Sequence, residues 1–219
     1  MSALARLPQR GAERLGYARG VRRMARIALV GVLAGGVACV IAPGRASAQS
    51  ASSAATREDA AREDAARRER AIRVARDIIK SARFAALITQ DPTTGSAART
   101  IDPAPPDSAM VVRFVTNPKS RKVRQLARDA RVTLYYFDAK GMRYAAISGI
   151  SREVREAAKK EALWYAEWTP FYPQRERGAA LFEVVPQRLE MVSEGDGVVG
   201  DSVTWAVPVV RFPPKGVRR

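Results

Sequence analysis

Apolar and polar positions change their period at Phe84. Upstream, Ile72, Ala75, Ile79 and Ala82 recur at spacings of three and four, which places them on one face of a helix. From Phe84 the period falls to two. This predicts a first strand over residues 84–89, a turn at Asp91-Pro92-Thr93-Thr94-Gly95, and a second strand over 98–102 closed by a loop over 103–107. A third strand, 110–116, is rich in β-branched residues and is broken by Asn117-Pro118. A helix from Arg121 to about Ala130 follows, with Val123, Leu126, Ala127 and Ala130 toward a core and Arg121, Arg124 and Arg128 on another side. Further strands are expected over 131–137, over 144–154 and, as one strand or a pair, over 180–185 and 189–192. Between the last two lies a second helix, 155–168, with Ala158, Leu163 and Trp164 in its core, ended by Thr169-Pro170. Residues 195–200 form a glycine-rich loop, and 203–212 a final extended segment broken at Pro208. Short strands at hairpin spacing with few helices predict a mainly β, α+β domain: one small closed or half-closed antiparallel barrel.

One boundary in this pattern carries chemistry. Ser120 is placed to N-cap the helix that starts at Arg121, so Arg121 and Lys122 fall in its first turn. The helix dipole favours anions there, and two cations are misplaced unless an anion sits between them. A phosphate resolves the conflict.

The N-terminal residues 1–48 read as a cleavable signal peptide. A basic stretch containing Arg22-Arg23 precedes an apolar run over 27–42, and Ala46-Ser47-Ala48 is a small-x-small cleavage pattern before Gln49. The run is short for a membrane span of roughly 20 residues. Two readings stand side by side: a twin-arginine signal using Arg22-Arg23, or an ordinary secretory signal starting at Met24. Either predicts an exported, periplasmic or secreted, protein without a stable membrane anchor. A lipid anchor at Cys39 is poorly supported by Gly36-Val37-Ala38 before it.

Removing the leader changes composition. It holds eight arginines against one glutamate, so the formal +16 of the chain falls to +9. That is a basic surface with no aromatic-rich motif for specific nucleic-acid binding. Cys39 is the only cysteine, and the chain has no histidine. A disulfide, a cysteine nucleophile, a Ser-His-Asp triad and a His- or Cys-ligated zinc or haem are therefore excluded from the processed chain, and no metal site is expected. Redox chemistry would fall to a bound organic cofactor. Residues 49–70 read as a flexible or helical polar extension: a Ser/Ala-rich tether to about Thr56, then the repeat Arg57-Glu58-Asp59-Ala60-Ala61 and Arg62-Glu63-Asp64-Ala65-Ala66, expected as a solvated helix.

The run Thr116-Asn117-x-x-Ser120-Arg121-Lys122-x-x-x-Leu126, followed by Ala130-Arg131-Val132-Thr133-Leu134-Tyr135-Tyr136-Phe137, resembles the flavin-binding split barrels of the pyridoxamine 5'-phosphate oxidase-like superfamily, above all their general-stress-protein branch. Ser148-Gly149 ending a strand, Leu163-Trp164 with Phe171-Tyr172-Pro173, and Leu181-Phe182-Glu183-Val184-x-Pro186-x-Arg188-Leu189-Glu190 extend the likeness over about residues 72–212. The resemblance implies a six- to seven-stranded split barrel with two or three flanking helices over residues 71–219, and FMN in a groove between the subunits of a homodimer. It implies that Arg121, Lys122, Ser120 and Arg99 hold the phosphate and that Val115 and Thr116 line the flavin. Tyr144 stands where related oxidases have a flavin-contacting glutamine, and Trp205 lies where related barrels close the site across subunits. Ala104 replaces a lysine of those oxidases, and their Arg-x-His substrate motif is impossible here. Pyridoxamine-phosphate oxidase activity is therefore not expected, and a deazaflavin is an alternative cofactor. Trp164 and Trp168, and alternate members of Tyr135-Tyr136-Phe137, read as packing residues. No acid–base pair emerges, so no catalytic residue is assigned. A binding module for a phosphorylated or anionic ligand is the non-enzymatic alternative.

Overall fold

The computed structural model describes residues 45–213, with side chains from residue 56 on. The expected leader, including Arg22-Arg23, Met24 and Cys39, lies outside the described residues except for its last four. Helix α1 spans Arg45–Ala82, so the stretch expected as a tether is helical. In the repeat, Arg62 pairs with Glu58 and Asp59, and Arg67 with Glu63 and Asp64, at helical spacings and in full solvent. Further on, Ala71, Val74, Ala75, Ile78 and Ile79 are buried and give the helix a core face. No helix among the described residues is long and apolar enough to cross a membrane.

The strands are β1 Ala85–Asp91, β2 Gly95–Ile101, β3 Val112–Thr116, β4 Arg131–Asp138, β5 Arg143–Val154, β6 Ala180–Val192 and β7 Val209–Arg211. They form one antiparallel sheet in the order β2-β1-β4-β5-β6-β3, with β7 on the far half of β6. The edges β2 and β3 do not pair as strands, so the barrel is split. The chain leaving β2 crosses the opening with a backbone hydrogen bond from Ala104 N–H to the Arg113 carbonyl, 2.8 Å. Leu87, Phe114, Leu134, Ile147, Leu189 and Met191 point inward and are fully buried, as the period of two requires.

One open choice is decided and one expected boundary moves. Residues 180–192 are one strand, and the break read there is a bulge: Gly149 faces Pro186 and Ser148 faces Arg188, leaving Gln187 extra. Proline lacks the ladder donor, and the bulge absorbs that loss. Gly149 thus lies inside β5 rather than at its end. A Cβ there would stand 2.2 Å from the Val185 carbonyl oxygen, which is why this position has no side chain. The second helix is shorter than expected. Helix α3 covers Ala157–Ala162, a 3₁₀ turn Ala166–Trp168, and a one-turn helix α4 Arg175–Gly178. Helix α2 spans Arg121–Arg128. The Trp168 indole N–H donates to the Asp102 carbonyl, and Trp168 meets Trp164 edge to face. Both tryptophans pack in a second cluster with Val115, Val154 and Leu181.

Tyr136 is fully buried, and its hydroxyl has no hydrogen-bond partner among the described residues. Burial raises its pKa far above the phenol range. Tyr136→Phe is expected to raise stability by about 1 kcal/mol, because an unsatisfied buried hydroxyl costs on the order of 1–3 kcal/mol. Urea denaturation checks it, and a lower midpoint for the variant would mean that the hydroxyl is satisfied in solution.

Candidate functional site

Strand β3 ends at Thr116, and the turn Asn117–Ser120 redirects the chain into α2. The Asn117 carboxamide oxygen accepts from Lys119 N–H, 2.8 Å, and the Asn117 carbonyl from Ser120 N–H, 3.0 Å. Ser120 has the extended backbone of an N-cap residue, but its side chain does not cap the helix. Its hydroxyl instead lies 3.5 Å from Thr116 Oγ1. The first-turn N–H groups are thereby left without their usual side-chain acceptor, and α2 has no acidic residue in its first turn.

Lys122 reaches back over this turn and donates to Thr116 Oγ1 at 2.9 Å. Arg99 comes from β2, facing the same place. Its Nη1 donates to Thr89 Oγ1 at 2.6 Å and to the Leu87 carbonyl at 3.3 Å, and its Nη2 to Gln125 Oε1 at 2.6 Å. Burial lowers the Arg99 pKa, and the charge of Arg121 lowers it further. Burial likewise lowers that of Lys122, with Arg99 adding to the effect. Arg99 thus lies close enough to both Arg121 and Lys122 for their charges to repel, and among the described residues none of the three forms an ion pair. Like charges held together beside uncapped backbone N–H groups form a cradle for a multiply charged anion. A phosphate monoester fits this donor set.

The structure brings together Arg99, Thr116, Ser120, Arg121 and Lys122. Val115 adjoins them, but its side chain is buried in the tryptophan cluster and its carbonyl accepts from the Tyr172 hydroxyl at 3.5 Å. Two other candidates stand elsewhere. Tyr144 pairs with Phe137, five residues along β4 from Val132, the partner of Thr89; that is roughly 17 Å at strand rise. It stacks on Tyr135 with ring centroids 5.5 Å apart, on the outer face of the barrel. Trp205 is 84% exposed, with φ of 58°, on a turn closed by Asp201. Sequence reading missed Gln125, Thr89 and Asp91. The alternation of β1 puts Thr89 on the same face as Ala85 and Leu87, so a polar group at a core position was the available signal. Nothing in the pattern of α2 marks Gln125.

Beside Ala104 lies a cleft of about 420 Å³, between the last turns of α1, the proline-rich segment 103–106 and the 3₁₀ turn. Arg83 in its wall is neutralised by Asp102 and Glu167 at 3.1 and 2.9 Å. The volume suits a small molecule.

A family model described as Pyridoxamine 5'-phosphate oxidase like matches residues 70–184. No curated protein matches the chain. Among solved structures it is similar to a protein related to general stress protein 26 of B. subtilis (pyridoxinephosphate oxidase family) from Clostridium acetobutylicum. That similarity has a TM-score of 0.55 at 14% identity and covers 66% of this chain and 96% of that one. General Stress Protein 26 from Bacillus anthracis matches with a TM-score of 0.49 at 14% identity, over 66% and 98% of the two chains. A heme binding protein from Mycobacterium smegmatis matches with a TM-score of 0.45 at 16% identity, over 54% and 52%. At 14% identity the first of these establishes the fold and nothing finer.

Proposed function

The chain belongs to the pyridoxamine 5'-phosphate oxidase like family, and on that premise we propose that it is an exported, homodimeric flavoprotein whose cradle holds the phosphate of FMN. The observation that carries this reading is the set of three cations, Arg99, Arg121 and Lys122, that converge on the N-terminus of α2 without an ion-pair partner among the described residues. Arg99 and Arg121 supply guanidinium forks and Lys122 an ammonium. Thr116 and Ser120 offer hydroxyls, and the first turn of α2 offers backbone N–H groups. Bound FMN would supply hydride or electron transfer. The chain's own groups would fix the phosphate, and the 420 Å³ cleft beside Ala104, in the segment that follows Arg99 and β2, is where a substrate would sit.

The outer sheet face supports the dimer. Tyr135 and Phe137 are 37% and 48% exposed, beside Tyr144, an aromatic patch suited to burial against a second copy. The partner would bring its own Tyr144 and Trp205 toward the flavin. Export rests on the leader. Ala104 and Tyr144 depart from the oxidase pattern and leave the flavin ring fewer polar contacts, which keeps a deazaflavin as the alternative cofactor. With no histidine in the chain, the reaction is not that of a pyridoxamine-phosphate oxidase.

Purified protein is expected to carry a flavin absorption band, or to acquire one on adding FMN. Bleaching of that band by NADH or NADPH would make it an oxidoreductase. No band and no FMN binding would sink the flavoprotein reading. Binding without any reduction would favour the second reading, a module that holds a phosphorylated ligand.

A further inference from the structure

We propose that Gln125 is the positioning residue of the cradle: it passes hydrogen-bond polarity from Asp91 to Arg99 while keeping the Asp91 charge away from the guanidinium. The proposal rests on the cradle being an anion site, and it adds what sets Arg99 in place there.

The side chain of Gln125 is 2% exposed, and its bonds have only one consistent direction. Its Oε1 accepts from Arg99 Nη2 at 2.6 Å and from the Thr89 hydroxyl at 2.8 Å. Its Nε2 donates to Asp91 Oδ2 at 2.8 Å. Turning the amide over would face an NH₂ group to a guanidinium and an oxygen to a carboxylate, so the chemistry fixes the assignment. Asp91 is anchored in turn: Oδ1 accepts from the N–H groups of Thr93 and Thr94 at 3.0 and 3.2 Å. The hydrogen bond from Gln125, then those from the two turn N–H groups, hold its pKa at about 2. The turn between β1 and β2 is thereby wired to the cradle.

Arg99 has five N–H groups, and the network uses three of them, on Thr89, the Leu87 carbonyl and Gln125. One Nη2 hydrogen and the Nε hydrogen remain for a ligand. All three acceptors are neutral, so the positive charge is not cancelled. An amide at 125 meets both needs at once. A carboxylate would accept from Arg99 equally well, but it would neutralise Arg99 and face Asp91 across a hydrogen-bond distance. A leucine would keep the volume and release the guanidinium.

The test compares FMN with riboflavin, which lacks the phosphate, by flavin fluorescence titration of wild type, Gln125→Leu and Gln125→Glu. Gln125→Leu is expected to lose about tenfold in FMN affinity, equivalent to one hydrogen bond at roughly 1.4 kcal/mol, with riboflavin affinity unchanged. Gln125→Glu, though isosteric, is expected to lose more, about thirtyfold, because it adds an opposing charge. A residue that merely packs would give the reverse order and would weaken both flavins alike; either result overturns the proposal. If wild type binds neither flavin, the FMN reading has failed, and pyrophosphate becomes the probe. It should raise the melting temperature of wild type and not of Gln125→Leu. A wild type that pyrophosphate leaves unmoved, or a variant that it protects equally, overturns the proposal.

Discussion

Replacing Arg121 and Lys122 together with alanine is expected to lower FMN affinity by about 3 kcal/mol or more, roughly 150-fold. Each side chain would make a charged hydrogen bond to a dianion, worth on the order of 1.5–3 kcal/mol. Riboflavin affinity should hardly move, since the cations would meet only the phosphate. Wild-type FMN affinity should fall as salt rises, and the variant's less so, because the variant has fewer cations whose attraction to the phosphate salt can screen. The same variant should not lose stability. Burial and the charge of Arg99 already hold the Lys122 pKa down, so the unliganded fold bears repulsion that alanine removes. A binding site held ready against its own repulsion costs stability for function, as sites commonly do. Isothermal titration and a thermal melt on the same preparation check both halves. FMN affinity within threefold of wild type would place Arg121 and Lys122 among ordinary surface cations.

The place of this pair at a strand-to-helix turn was legible because its neighbours lie contiguously in the chain. Thr116 ends a strand, Asn117-Pro118 turns it, and Arg121-Lys122 begins a helix, so neighbours in sequence became neighbours in space. The strands were legible for a related reason: one buried face imposes a period of two, and β1 to β5 lie within a few residues of their expected bounds. What failed depended on distant partners. The break after α3 goes with Trp168, whose indole N–H is drawn to the Asp102 carbonyl on the far side of the opening. The choice between one strand and a pair for β6, left open by the pattern, depends on Gly149 lying against Pro186, a pairing across the sheet. Gln125 acquires its meaning from Arg99 and Asp91, 26 and 34 residues away. Ser120 shows the limit from the other side. Its position as N-cap was correct, but its hydroxyl turned to Thr116, a choice that propensity does not decide.

Arg113→Met is expected to cost about 2–3 kcal/mol of stability at pH 7, and the cost should vanish in acid. Arg113 lies on β3 opposite Glu183 on β6, only 17% exposed at its side chain. It donates to Asp107 Oδ2 at 2.8 Å and to Glu183 Oε1 at 3.1 Å, while Lys159 holds the other Glu183 oxygen at 2.8 Å. Methionine fills similar space and leaves Asp107 without its cation, which is the expensive way to break such a pair. For a chain of this length the loss corresponds to about 5–10 °C in melting temperature. The pH dependence follows from the two carboxyls. Burial pushes Asp107 up, but hydrogen bonds from Arg113 and from the Val111 and Ala109 N–H groups outweigh it and leave its pKa below the ordinary value. Burial also pushes Glu183 up, and Lys159 and Arg113 bring it below. A folded-state pKa below the unfolded one gives stability that is present above the unfolded value, about 3.9 for Asp and 4.3 for Glu, and is lost as pH falls through the folded one. Wild type should therefore melt at a steady temperature from pH 8 to about 5 and then fall toward the variant, the two curves meeting once the pH lies below both folded-state values. A gap that stays constant across that range would assign the cost to packing of the arginine stem rather than to its charge.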